Sequence, residues 1–218
     1  MKREIYLFFK EKSNLFLMLC ILFWGCSSNR MISEEQNQIA KSMQMIQNIC
    51  MGIPFLLEIL MAVNLGKEFE KKTIYLQLIQ KPLWKLVWHR MAVVLWIAVC
   101  CYALQIFVLF SNGLSWYQAI YSGLWMYLYS SILLLIVTVL TFFTKSMICS
   151  LVYIVTKFLA ENQLNLLYSP KSVFLKLVNQ YFRGSLELNY VHMLLGILIC
   201  SLAVVLFLGV IRHKRINI

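Results

Sequence analysis

The chain has 218 residues, of which 61% are hydrophobic and 13% charged, with a mean hydropathy of +0.74. Soluble domains carry about 25% charged residues and about 45–50% apolar ones, so the composition excludes a water-soluble globule, and its apolar richness excludes disorder. The net charge of +11 is read first as membrane orientation, because cytoplasmic loops collect Lys and Arg.

In chain order, a basic, amphipathic start (MKREIYLFFKEK) precedes a short apolar run. Gly25-Cys26 resembles a lipoprotein cleavage site, but Trp24 stands where such a site wants a small residue. Residues 13–28 are therefore read as an uncleaved first span with snorkelling flanks. A polar external connection leads to a second span, 43–65, which holds Pro54 and Glu58. The long charged segment 66–90 follows, then spans at 91–110, 119–143 and 147–160, a mixed segment at 161–190, and a last span at 191–211. With about 20 apolar residues needed per span, six crossings consume most of the chain and leave no room for a separate soluble domain. The expected fold is a single all-α integral membrane domain over residues 1–218.

Six crossings place both termini on one side, and charge chooses the side. Fourteen Lys and Arg fall on segments assigned to the terminal side, among them Lys10, Lys12, Lys67, Arg90, Lys145 and Arg212, against five opposite. Both termini are expected in the cytoplasm of a multi-pass plasma-membrane protein. Orientation accounts for the charge, and no nucleic-acid partner is needed.

The seven cysteines show no Cys-x-x-Cys pair and read as small buried thiols. His89, His192 and His213 are scattered, without metal-site spacing. Met43, Met45, Met51 and Met61 read as adaptable packing rather than a copper site. Neither a metal site nor a catalytic residue is expected.

Segment 66–90 carries the most information. Glu68 and Glu70 stand at its start, where a helix N-terminus favours negative charge. Phe69, Ile74, Leu78 and Ile79 are spaced for one broad helical face, and Pro82 stops that helix and opens the next. The expected product is a short surface helix turned sharply into a span. An interfacial loop anchored by Trp84 and Trp88 fits the same residues.

The run EFEKKTIYLQLIQKP, Glu68 to Pro82, resembles the signature of type-2 ABC transporter permeases: an acidic pair, a small residue and Thr, a run of Leu, then Pro before the third span. Lys72 departs from it, standing where the family commonly has Gly. The basic start, six spans and longer segment before the last span extend the resemblance along the whole chain. The resemblance implies that segment 66–90 holds a coupling helix docking in a separate ABC ATPase, with Glu68, Glu70, Thr73 and Pro82 as the coupling positions. It further implies two permease chains (homo- or heterodimer) and two ATPases, ATP and Mg bound by the partner rather than this chain, and an external segment 161–190 that partly re-enters the membrane. No Gly-x-x-x-x-Gly-Lys-Ser/Thr motif is present, so hydrolysis is expected on another chain. Small size resembles permeases that export or clear antimicrobial peptides or other amphipathic molecules.

Glu58 and Lys157 interrupt apolar spans, where a charge costs at least about 2.5–3.5 kcal/mol. At 1.5 Å per helical residue they lie about 12 Å and about 15–16 Å from the cytoplasmic ends. Similar depth permits an ion pair or a place on a translocation path. Depth does not establish facing, so the expectation is separate solvation: Lys157 snorkelling outward, Glu58 protonated or facing a wet cavity. Two other function classes share part of this pattern. An Abi-type intramembrane protease would use Glu34-Glu35 and histidines, but the pair lies outside the spans, the fourth residue after it is Ile39 instead of a charged partner, and no middle span carries His. An ATP-independent membrane scaffold or immunity protein would need no ATPase at all.

Overall fold

In a computed structural model, the residues described are Tyr6, 9–27, 38–70, 83–163 and 170–182, with isolated positions at Leu195, Leu198 and Leu202. They form six helices and, among the described residues, no strand: α1 (Lys12–Ser27), α2 (Gln38–Glu70), α3 (Leu83–Ser111), α4 (Trp116–Thr144), α5 (Met147–Gln163) and α6 (Pro170–Phe182). Three are long and apolar enough to cross a membrane, over Lys41–Lys67, Val87–Ser111 and Trp116–Thr144. They correspond to the expected second, third and fourth spans. At 1.5 Å per residue, the 27 residues of Lys41–Lys67 reach about 40 Å, more than the roughly 30 Å hydrocarbon core.

The other expected spans fare differently. α1 is apolar but short, 16 residues. α5 is 17 residues long and carries Lys157 and Glu161, so neither length nor composition makes it a span by itself. The last expected span, 191–211, lies outside the described residues apart from three isolated positions. Leu198 and Leu202 pack against the core.

α2 is the axis of the bundle, in contact with all five other described helices, while α4 packs on α2, α3, α5 and α6. Ile46, Ile49, Ile53, Leu57 and Leu60 of α2 are fully buried, at the three- and four-residue spacing of one helical stripe. Two glycines permit the closest approaches. A Cβ at Gly52 would run into the indole of Trp24, and one at Gly66 would lie 2.6 Å from the Cβ of Met147. The first seats α1 on α2, where the Trp24 Nε1 donates to the Asn48 carbonyl at 3.0 Å. The second brings the start of α5 onto the end of α2.

Local chemistry sets the helix ends. Ser115 caps α4 in a reciprocal capping box with Gln118, and Lys145 ends it in the left-handed region at φ 52°. Pro170 is the first residue of α6, where its missing N–H costs no helical hydrogen bond.

The break expected after residue 65 does not occur. α2 continues through Glu70, so Glu68 and Glu70 fall in its last turn, where the helix dipole disfavours acids, and not in the first turn of a new helix. The reason is packing. Phe69 is buried and meets Phe142 of α4 edge-on at 6.0 Å, which holds the helical register beyond Gly66. α3 likewise begins earlier than residue 91, at Leu83, directly after Pro82.

The surface is inverted relative to a protein folded in water. On α5, Ile148, Val152, Val155 and Leu159 are exposed while Ser150 is fully buried. α4 buries Ser122, Ser130, Ser131, Thr138 and Thr141. The hydroxyls of Ser122, Ser131, Thr138 and Thr141 each donate to the carbonyl four residues earlier, and Ser130 pairs with the Tyr102 hydroxyl of α3. Apolar faces outward and satisfied polar groups inward suit a lipid surround, consistent with a membrane-embedded protein.

Candidate functional site

Glu58 sits on α2 one turn after Pro54, which lies inside the helix. Proline removes a backbone donor and commonly bends a helix at that point. α5 runs antiparallel to α2: Gly66 faces Met147, and the rings of Phe55 and Phe158 meet at 4.4 Å, tilted by 38°. That register carries Lys157 to Glu58, and the ammonium Nζ donates to the carboxylate Oε1. The expectation of separate solvation is thereby corrected. The close seat of Gly66 on Met147 and the aromatic contact one turn away turn the two charges toward each other. Glu58 is fully buried and the Lys157 side chain 15% exposed, so the pair is held largely out of solvent. Glu58 Oε2 has no hydrogen-bond partner among the described residues.

The pair belongs to a larger charged group. Glu161, one turn after Lys157, lies within Coulombic reach of both Lys157 and Lys171, with the Tyr129 hydroxyl beside it. Lys171 at the start of α6 is buried and donates to Asn162 Oδ1 at 2.6 Å. Burial pushes the Lys171 ammonium below the usual lysine range, and the Glu161 carboxylate opposes that shift. Two acids and two lysines balance, which moderates the cost of burying each. Lys157, Glu161 and Lys171 line a small chamber together with Cys50, Tyr129 and Leu133. Phe174 of α6 stacks on Tyr129 at 5.6 Å. The group thus links α2, α4, α5 and α6. Glu161, Lys171, Asn162 and Tyr129 were not anticipated as part of it, although the four-residue spacing of Lys157 and Glu161 puts both on one helical face.

A second polar cluster joins α1 to the far end of α2. Asn14, fully buried, donates to Asn64 Oδ1 at 3.0 Å, and Lys67 Nζ donates to Ser13 Oγ at 2.8 Å and Glu11 Oε2 at 3.4 Å. This cluster fixes the start of α1 beside the point where α2 gives way to residues 71–82.

The remaining sequence candidates divide. The backbones of Glu68 and Glu70 lie in the last turn of α2. Thr73, Pro82 and the pair Glu34-Glu35 lie outside the described residues. Among the described residues, no three His, Cys, Asp or Glu side chains gather where they could hold a metal. No family model matches the chain, and no curated protein or solved structure matches it either.

Proposed function

We propose that the chain is the membrane-spanning permease subunit of an ATP-driven ABC exporter. The observation that carries the reading is the Glu68–Pro82 motif at the connection between α2 and α3. A force applied to residues 71–82 reaches two long helices at once, and α2 touches every other described helix. A displacement of the end of α2 is therefore felt throughout the bundle. In this reading a separate ATPase binds ATP and Mg, a second permease chain completes the transporter, and the cargo is a peptide or other amphipathic molecule. Both termini and residues 71–82 face the cytoplasm of a plasma-membrane protein, with Glu68, Glu70, Thr73 and Pro82 at the docking element. Glu58 and Lys157, held between α2 and α5, are placed to feel the movement and to lie beside the cargo's route. α6, packed on the half of α2 that holds Cys50 and on Tyr129 of α4, fits the re-entrant segment expected at 161–190.

The test is capture of the ATPase by the tagged full-length chain. Glu68→Lys with Glu70→Lys abolishes that capture while the protein still inserts into the membrane. Undiminished capture by the inserted double variant refutes the assignment of these residues.

A further inference from the structure

An apolar groove of about 460 Å³ runs between α1 and α3, lined by Phe9, Met18, Leu22, Trp96, Cys100 and Leu104 among others. α1 and α3 run in the same direction, since Gly25 near the end of α1 meets Gln105 near the end of α3. Phe9 and Val93 therefore mark one end of the groove and Leu104 the other. From Val93 to Leu104, at 1.5 Å per residue, the groove measures about 16–17 Å. One leaflet of the hydrocarbon core is about 15 Å deep, half of roughly 30 Å.

The Phe9 end is cationic. Lys10 and Lys12, next to Phe9 in the chain, are exposed. The acid between them, Glu11, is engaged by Lys67. An apolar trough one leaflet deep, opening beneath exposed ammonium groups, matches a phospholipid with a negatively charged headgroup. We infer that the α1–α3 groove is a binding site for an anionic phospholipid, with an acyl chain along Trp96 and Leu104 and the headgroup at Lys10 and Lys12. The inference rests on membrane embedding and not on the transporter reading.

Trp96 is 63% exposed and reports on the groove directly. The full-length chain is reconstituted in phosphatidylcholine vesicles containing phosphatidylglycerol, with brominated acyl chains on one lipid or the other. Quenching at Trp96 is the difference between the native chain and Trp96→Phe. A lysine near an anionic lipid surface contributes about a five-fold preference. Brominated phosphatidylglycerol is expected to quench Trp96 at least about five-fold more efficiently than brominated phosphatidylcholine at equal mole fraction. In Lys10→Gln with Lys12→Gln, that ratio falls toward one while quenching by phosphatidylcholine persists. The ratio in the native chain needs no charge variant, so a folding failure of the double substitution leaves the test intact. Equal quenching by the two lipids overturns the inference. Absence of quenching by either also overturns it and points to a second copy of the chain covering the groove.

Discussion

The pair between Glu58 and Lys157 makes an asymmetric prediction. Removing one partner of a buried ion pair leaves an uncompensated charge and costs about 3–5 kcal/mol, whereas replacing both with apolar residues of similar volume is often close to neutral. Glu58 is fully buried and Lys157 is 15% exposed, so solvent screening reduces these values little. The partners differ in what they leave behind. Without Glu58, Lys157 still has the attraction of Glu161. Without Lys157, Glu58 loses the donor to its Oε1, while Oε2 already has no partner among the described residues. Lys157→Met is therefore expected to cost about 3–4 kcal/mol and Glu58→Gln about 1–2 kcal/mol. The double variant Glu58→Met with Lys157→Met should return to within about 1 kcal/mol of the native chain. The assay is reversible unfolding of the purified protein in mixed micelles by titration with a denaturing detergent, analysed as a double-mutant cycle. Equal, additive losses with a coupling energy below about 0.5 kcal/mol would refute the argument that the pair is formed and buried.

Two further substitutions test the packing. Gly52→Ala puts a methyl group into the Trp24 indole and is expected to destabilise the α1–α2 contact by about 1–3 kcal/mol; adding Trp24→Ala recovers part of that loss, which thermal denaturation in detergent will register, and no recovery would contradict the contact. Tyr102→Phe removes the buried hydrogen bond to Ser130, and membrane hydrogen bonds average about 0.6 kcal/mol with a maximum near 1.7. Its expected loss in the same assay is below about 2 kcal/mol, and a larger one would mean that the hydroxyl supports more than Ser130.

The sequence revealed elements where hydrophobicity alone decides and missed features that depend on facing. The spans at 43–65, 91–110 and 119–143 were legible because long apolar runs need no periodicity to be recognised. Their helices carry no strong polar stripe, so nothing local said which side of α2 Glu58 would occupy. That was settled by Gly66 against Met147 and Phe55 against Phe158, contacts between residues about 80–100 positions apart, which no local pattern encodes. The continuation of α2 to Glu70 was illegible for a similar reason: Gly66 and two acids weaken a helix on propensity grounds, and the burial of Phe69 against Phe142 outweighs them. α6 was masked by its mixed composition. Val173, Phe174, Leu177 and Val178 are buried while Lys176 faces out, a periodicity visible in the sequence once Pro170 is taken as a helix start and not as a breaker. Lys171 shows the limit of charge counting. Its lysine was assigned to an external loop, yet it is buried in the bundle beside Asn162.

In the proposed reading, residues 71–82 are a cytosolic lever between two helices long and apolar enough to cross a membrane. Lys72→Cys, in a chain whose seven native cysteines are replaced by alanine, is exposed to a membrane-impermeant maleimide in intact cells and in inside-out vesicles. The account predicts labelling in the inside-out vesicles and none in intact cells. Labelling from outside intact cells, or protection on both sides by lipid, would contradict it.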